Sequence, residues 1–555
     1  MRTSFRKWVG SGDPWIWLTA GAISICLIAV AGLLVLIAVR GLGHFWPSPI
    51  AVFNYTDDDG TVIPMMGELV DEEIVPRVVM PATDTRIPAG ADTVDRLLLK
   101  TGNRELYGID FRWVVAPAMT SPEFPGDAVA VERREWGNFY GYLVGVKVAG
   151  AAASGGEDRW RELEETLAHS NGVFEEIRHI EKDLIGGINY GIERLRLNQR
   201  RLELDGVTDP AAFAKLDEQR AAYQEQYKEL GGRLSALYED LNRSTIVLRT
   251  AEGREVELAA GRIVRAYRPN AMSLGEKTGF YFAKLWEFMA DEPREANTEG
   301  GIFPAIFGTV AMVLIMAVLV TPFGVVAAVY LREYAKQGPF TRLVRISVNN
   351  LAGVPSIVYG VFGLGFFVYF LGANIDRWFF PEALPAPTFG TPGLIWASLT
   401  LALLTVPVVI VSTEEGLSRV PRAIREGSLA LGATKVETLW RTVLPMTASA
   451  MMTGLILAIA RAAGEVAPLM LVGVVKLAPS LPLDGNFPYL HLERKFMHLG
   501  FHIYDVGFQS PNVEAARPLV YATSLLLVFI IVILNLTAIR IRNRLREKYR
   551  AAEQH

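Results

Sequence analysis

Apolar residues gather into six long runs, at 15–39, 302–331, 346–371, 393–412, 446–475 and 518–539. Five of them contain no charged residue, and each meets the length of about 20 residues that a helix needs to cross a hydrocarbon core. The first run is too long for the apolar core of a signal peptide, and the sequence behind it, "RGLGHFWPSP", lacks a small-residue cleavage site; it reads as a retained span. The pattern between the first and second runs is of another kind. Segments such as "EIVPRVVM", "RLLLKTG", "IDFRWVVA", "DAVAVERREWGNFYGYLVGVKVAG" and "STIVLRTAEGREVELAAGRIVRAY" are short, rich in β-branched and aromatic residues, and punctuated by Gly, Pro and Asp. They predict strands, with a hairpin turn at Glu252-Gly253. Between them, about 157–243, lies a polar block in which Ile177, Ile180, Leu184 and Ile188, and then Leu230, Leu234, Leu237 and Leu241, recur at helical steps. The block breaks near "LDGVTDPAAF", where Asp209-Pro210 is suited to start a second helix. The expectation is an antiparallel helical hairpin inserted into an α+β domain, its charges a solvated face.

Charge placement orients the spans. Arg2, Arg6 and Lys7 precede the first; Arg332, Lys336, Arg342 and Arg345 follow the second. Arg419, Arg422, Arg425, Lys435 and Arg441 lie between the fourth and fifth, and Arg540, Arg542, Arg544, Arg546, Lys548 and Arg550 follow the sixth. Six spans put all four groups on one side, which the positive-inside rule makes cytoplasmic. The resulting division is a cytoplasmic N-terminus (1–14), a first span (15–40) and an external domain (41–300). A five-span core (301–540) follows, with an inner loop at 413–445 and a basic cytoplasmic tail (541–555). The composition agrees: 51% hydrophobic residues with 21% charged describes a membrane part joined to a water-facing part. A net charge of −4 points to no nucleic-acid partner, and a single cysteine, Cys26, excludes an intrachain disulfide.

Within the inner loop, "REGSLALGATKVETLWRTVLP" (425–445) spells a helix–turn–helix knuckle. Gly432 is placed to end a short helix in the left-handed conformation, and Thr434 with Glu437 fits a capping box for the next. Pro445 is suited to the first turn of the following span. The segment resembles the EAA motif of bacterial ABC importer permeases, EAA-x3-G-x9-I-x-LP. Glu426, Gly432, Leu444 and Pro445 stand at matching positions, while Gly427-Ser428 replaces the two alanines and Thr442 the isoleucine. The resemblance implies that the knuckle docks on a separate ATP-hydrolysing subunit, with Glu426 at the docking surface and Gly432 as the turn; of the local features, Leu431 is expected to add an exposed apolar contact and Thr434 to cap the second helix, and both are coupling candidates.

The fifth run alone carries charge: "ARAAGEVAPLM" (460–470) holds Arg461 and Glu465. On a continuous helix, residues four apart share a face. Each charge near a helix centre costs about 2.5–3.5 kcal/mol on translocon-type scales, so intramembrane ionisable residues are functional candidates by default. Together with "VYLREYA" (329–335), "NNLAGVPSIVYGVFGLGFF" (349–367) and "IYD" (503–505), the segment resembles the A-type permease subunit of phosphate-specific (Pst) importers. Arg461, Gly464, Glu465, Ala467, Pro468 and Leu469 match its R-x-x-G-E-T-A-P-L core, and Val466 replaces the threonine. The resemblance covers about 300–545 and the first span, not the 41–300 domain. It implies a six-span type I ABC importer permease fold in the bacterial inner membrane, working with a C-type permease, an ATPase dimer that binds ATP and Mg, and a periplasmic phosphate-binding protein. Arg461 and Glu465 would then line a phosphate path, Gly464 permitting close helix approach and Pro468 loosening the backbone beyond it.

No phosphate-binding loop, serine elbow or H-E-x-x-H occurs, and "LGEKTG" (274–279) lacks the required spacing. The chain is expected to catalyse no reaction and to bind no cofactor itself. His491, His498 and His502 have the spacing to share a helix face but too few companions for a metal site. Asn349, Asn350 and Ser356, beside the third span, read as packing residues. Two other readings stay open at this level: a sensor or envelope scaffold built on the external domain, and a permease for another oxyanion such as molybdate or sulfate.

Overall fold

A computed structural model describes residues 10–80, 86–87, 91–148, 158–294, 297–510 and 513–553. Arg2, Arg6 and Lys7 lie outside them. Among the described residues, six helices are long and apolar enough to cross a membrane: span 1 (Trp15–Gly43), span 2 (Phe303–Tyr334), span 3 (Ser356–Phe379), span 4 (Leu394–Arg419), span 5 (Lys435–Gly464) and span 6 (Ala516–Glu547). Span 4 is central, with Leu394, Ala397, Leu401 and Leu404 fully buried against Met312, Val313 and Met316 of span 2 and Ala458 and Ala462 of span 5. Span 1 leaves its whole apolar window uncovered, as a helix facing lipid requires.

Two spans differ from the apolar runs. The third run begins in a separate helix, Pro339–Leu351, and Pro355 divides it from span 3, because a proline disfavours helical geometry in the residue before it. The fifth run, 446–475, is displaced: its helix begins eleven residues earlier, at Lys435 within the knuckle, and stops at Gly464. Pro445 therefore sits inside a continuous helical run and does not open it. The π-helical segment Leu439–Val443 precedes it and accommodates the missing N–H donor.

Among the described residues, the domain between spans 1 and 2 holds two large antiparallel sheets and a two-stranded pair, Pro293–Arg294 with Glu299–Gly300. One is a meander of β1 (Ile50–Thr56), β2 (Val62–Pro76), β3 (Thr93–Lys100) and β4 (Phe111–Val115). The other comprises β5 (Ala128–Arg133), β6 (Phe139–Val148), β7 (Ser244–Arg249), β8 (Glu255–Ala259) and β9 (Ile263–Tyr267), in the order β8-β7-β6-β5-β9. The β7–β8 turn is at Gly253, with Thr250 and Arg254 closing the loop. The sheets meet where Ile50 and Met66 pack on Ala128, Ala130 and Tyr140. Strand β1 and the start of β2 escaped the sequence reading, although Asp59-Gly60 is a hairpin-turn dipeptide. So did the helix Leu274–Ala290, whose Ser273 and Glu276 form a full capping box.

The hairpin is an insertion between paired neighbours: Val148 of β6 faces Ser244 of β7. Its first arm runs from Arg159 through a π-helical segment at Ile180–Ile185 to Leu204, and its second arm is Pro210–Leu241, capped by Asp209. Ile177, Ile180 and Ile188 are buried but Leu184 is exposed, since the π segment shifts the helical register by a residue. Leu163 and Leu167 seat the arm on the second sheet.

Two polar joints brace the domain, the first between its second sheet and the helix Leu274–Ala290, whose Phe288 packs with Ile302 and Ala305 at the start of span 2. In the first, Glu287 on the Leu274–Ala290 helix meets Arg265 of β9 at 2.6 Å and Arg294 at 2.6 Å, while Lys284 reaches Glu132 of β5 at 2.6 Å. In the second, the hairpin's first arm holds the loops at the domain end of the bundle. Arg201 pairs with the buried Glu382 between spans 3 and 4, and the Tyr190 hydroxyl donates to the Phe487 carbonyl between spans 5 and 6. Arg178 contacts Glu292, ahead of span 2, at 2.8 Å.

Burial alone would raise the pKa of Glu287, but Lys284, Arg265 and Arg294 together hold it below the ordinary carboxylate range. A depressed carboxylate stabilises the fold above its unfolded-state pKa and loses that contribution as pH falls through the folded value. Glu287→Gln is therefore expected to destabilise the full chain at neutral pH by about 3 kcal/mol, the lower range for breaking a buried pair, and to flatten the acid limb of a plot of thermal midpoint against pH. For the second joint, Arg201→Ala strands Glu382 without its cation. The expected outcome is faster hydrogen exchange along 186–204 with the two sheets unchanged; uniform protection would show that the pair does not hold the arm.

Candidate functional site

Two regions at opposite ends of span 5 carry the candidate residues. At one end the knuckle has the local structure its residues dictate. The helix Arg422–Ala430 ends with Gly432 at φ 90°, a conformation in which a side chain would be strained. The Thr434 hydroxyl accepts from the Glu437 N–H at 3.3 Å and the Glu437 carboxylate accepts from the Thr434 N–H at 2.8 Å. Ser428 and Thr438 hydroxyls, 2.9 Å apart, close the angle between the two helices. Glu426, Gly432 and Thr434 are exposed, and Leu431 is 91% exposed, with Val436 and Trp440 uncovered beside it.

At the other end, Arg461 occupies the last turn of span 5, where its cation faces the partial negative charge of the helix terminus. Glu465 is not on the helix: its backbone is extended, at φ −80° and ψ 133°. The shared-face expectation fails because the helix has ended. The side chains still approach, Nε to Oε1 at 3.8 Å, with Arg461 32% and Glu465 23% exposed. That separation is an ion contact and too long for a hydrogen bond. Among the described residues, no hydrogen bond from the Arg461 guanidinium is formed, so its donors are open to an incoming acceptor.

Close approach here does not run through Gly464, where an added Cβ would meet nothing within 4 Å. It runs through Gly360 of span 3, where a Cβ would lie 2.7 Å from the Pro468 Cα. Pro468 begins the short helix Leu469–Val472. The chain beyond Glu465 is thereby clamped against span 3, and the end of span 5 is held in place.

The remaining candidates separate. His498 caps the short helix Leu499–Tyr504, its Nδ1 accepting from the Gly500 N–H at 3.1 Å, and His502 lies on that helix. Burial lowers their pKa values to about 3 and about 4. His491 is on an irregular segment, between Asp484 at 2.9 Å and Glu493 at 3.1 Å, so the three histidines share no face. Among the described residues, no group of His, Cys, Asp and Glu is placed to hold a metal ion. Asn349 lines a cavity of 130 Å³ with Arg345 and Glu414 at the knuckle end of the bundle. Sequence reasoning passed over Asp376, fully buried at the end of span 3, whose carboxylate accepts from the Phe389 N–H at 2.8 Å and the Gly390 N–H at 2.6 Å. It also passed over Glu333, although that residue lies in the quoted "VYLREYA".

Comparison with known proteins places these features. The model of the family described as "Binding-protein-dependent transport system inner membrane component" matches residues 320–551. The chain is 35% identical over 247 residues to "Phosphate transport system permease protein PstA 1" of Mycobacterium tuberculosis (strain CDC 1551 / Oshkosh), covering 44% of this chain and 71% of that one. It is 33% identical over 254 residues to "Phosphate transport system permease protein PstA" of Yersinia pestis, covering 46% and 76%. It is 36% identical over 218 residues to the protein of that name from Mycobacterium leprae (strain TN), covering 39% and 66%. The domain between spans 1 and 2 falls outside the family match. By its six spans, its knuckle and these relatives, the chain belongs to the PstA-type phosphate transport system permeases, with a β-rich domain added between its first two spans.

Proposed function

We propose that this chain is the permease subunit through which inorganic phosphate enters the cell, paired with a C-type permease, supplied by a periplasmic phosphate-binding protein and driven by a separate ATPase dimer. The observation that carries this reading is Arg461: a guanidinium in the last turn of an apolar span, partly exposed, in ion contact with Glu465 at 3.8 Å and with donors to spare. A guanidinium presents two parallel N–H groups that match two phosphate oxygens, and its charge offsets the desolvation of the anion. Glu465, next to it, accepts from a protonated phosphate oxygen and disfavours anions that carry no proton.

Orientation follows from the basic residues. Arg332, Lys336, Arg342, Arg345, Arg419, Arg422, Arg425, Lys435, Arg441 and Arg540 all belong to the knuckle end, which supports a cytoplasmic placement for it and a periplasmic one for residues 41–300. On that side the exposed Leu431, Val436 and Trp440 offer the ATPase an apolar anchor, with Glu426 beside it. Because span 5 is one helical run from the capping box to Arg461, displacement of the knuckle reaches the phosphate-facing end directly, over about 39 Å at 1.5 Å per residue.

Uptake of radiolabelled phosphate, in cells whose only high-affinity route is this complex, tests the reading, with sulfate and molybdate as competitors. Arg461→Lys keeps the charge and loses the fork. The expected loss is tenfold or more in uptake at limiting phosphate, since a hydrogen bond to a charged group contributes about 1.5–3 kcal/mol; unchanged affinity and rate would refute bidentate recognition. Leu431→Asp places a charge in the proposed anchor. The ATPase subunit is expected to be lost on co-purification, with affinity falling by about 2 kcal/mol, the threshold of an interface hot spot.

A further inference from the structure

Glu333 stands at the end of span 2, in the π-helical segment Tyr330–Tyr334, and holds both helices of the knuckle. Its carboxylate accepts from Arg425 Nη2 at 2.9 Å, and its backbone carbonyl accepts from Lys435 Nζ at 2.5 Å. Arg425 belongs to the first knuckle helix and Lys435 opens the second. The same guanidinium donates to the Val420 and Leu417 carbonyls, both at 2.7 Å. It thereby satisfies acceptors that the end of span 4 leaves open and sets a cation at the negative end of that helix. The Lys435 ammonium also lies 4.5 Å from the Tyr334 ring centroid. A parallel tie lies alongside: Arg345 donates to the Leu331 carbonyl at 3.1 Å and to Glu414 of span 4 at 3.2 Å.

Burial separates this knot from an incidental surface pair. The Arg425 and Glu333 side chains are 20% and 14% exposed, whereas the helix Arg422–Ala430 buries none of its side chains. Apolar packing therefore does not seat the first knuckle helix, and the Arg425 guanidinium is its attachment to spans 2 and 4. The second knuckle helix continues into span 5.

We infer that Glu333 is a positioning residue for coupling, the joint through which a displacement of the knuckle moves spans 2 and 4 together with span 5. The inference rests on the reading of the knuckle as an ATPase dock. Without the joint, a knuckle pulled by its partner would pivot on the Val420-Pro421 link and drag span 5 alone. ATP turnover would then proceed while the core failed to follow.

The test uses the whole complex in lipid nanodiscs or vesicles, with its ATPase subunits and phosphate-loaded binding protein. Three quantities are read: retention of the ATPase subunit, stimulation of ATP hydrolysis by the loaded binding protein over the basal rate, and phosphate transported per ATP. Glu333→Gln is expected to keep the ATPase subunit and the basal rate, and to lower stimulation and phosphate per ATP by about fivefold or more, the low end of coupling between distinct sites. Glu333→Asp, which keeps the charge on a shorter arm, is expected to recover part of the loss. If Glu333→Gln fails to accumulate, Lys435→Met, at an exposed position, removes only the tie to the second knuckle helix and is expected to lower the same two ratios. Wild-type ratios in the accumulating variants overturn the inference. Retention of the ATPase subunit by Leu431→Asp would instead overturn the dock on which it rests, so the two failures are distinguishable.

Discussion

The end of span 5 at Gly464 is the constraint on which the candidate site depends. Pro468 has no N–H to return to the Gly464 carbonyl, and it disfavours helical geometry in Ala467. A helix continued through 475 would lack that bond and carry Arg461 and Glu465 in mid-span. Stopping at Gly464 puts Arg461 in the final turn, where the helix terminus favours a cation, and frees Glu465 to reach it from extended backbone. The contact at Gly360 then fixes the chain beyond, so the pair is held at the rim of the bundle with part of each side chain accessible.

The same span starts at the knuckle. A capping box and a π segment lead without a break into the apolar helix, so the exposed Leu431 turn and the Arg461 terminus are the two ends of one rigid element. Rigid helices transmit displacement where loops absorb it. Span 2 has no covalent route to the knuckle and span 4 only the non-helical Val420-Pro421 link, and the Glu333–Arg425 contact ties both spans to it.

At the domain end, the Glu287 cluster joins the second sheet to the helix before span 2, and the hairpin arm crosses the loops between spans 3 and 4 and between spans 5 and 6. A cavity of about 570 Å³ lies between that arm, the second arm and the Gly485–Phe487 loop, lined by Tyr190, Arg194, Gln219 and Tyr223. The added domain is thus anchored to the permease core at several places rather than tethered by its two ends.

Elements encoded within a few residues were legible in the chain. The number of spans, the left-handed Gly432, the Thr434–Glu437 capping box, the break of the hairpin before Asp209 and the turn at Gly253 all follow from local composition and spacing. Each is governed by contacts within one or two helical turns or one tight loop. The resemblance to a transport family was carried by equally local strings. What pattern could not decide was where an apolar run stops being one helix. The third run divides at Pro355 and the fifth ends at Gly464, because backbone geometry at a proline and packing against span 3 outweigh continuous hydrophobicity. Nor could pattern pair residues far apart in the chain. Arg201 finds Glu382 and Arg425 finds Glu333 only once the helices are packed, for a charge carries no record in the sequence of which distant partner lowers the cost of burying it.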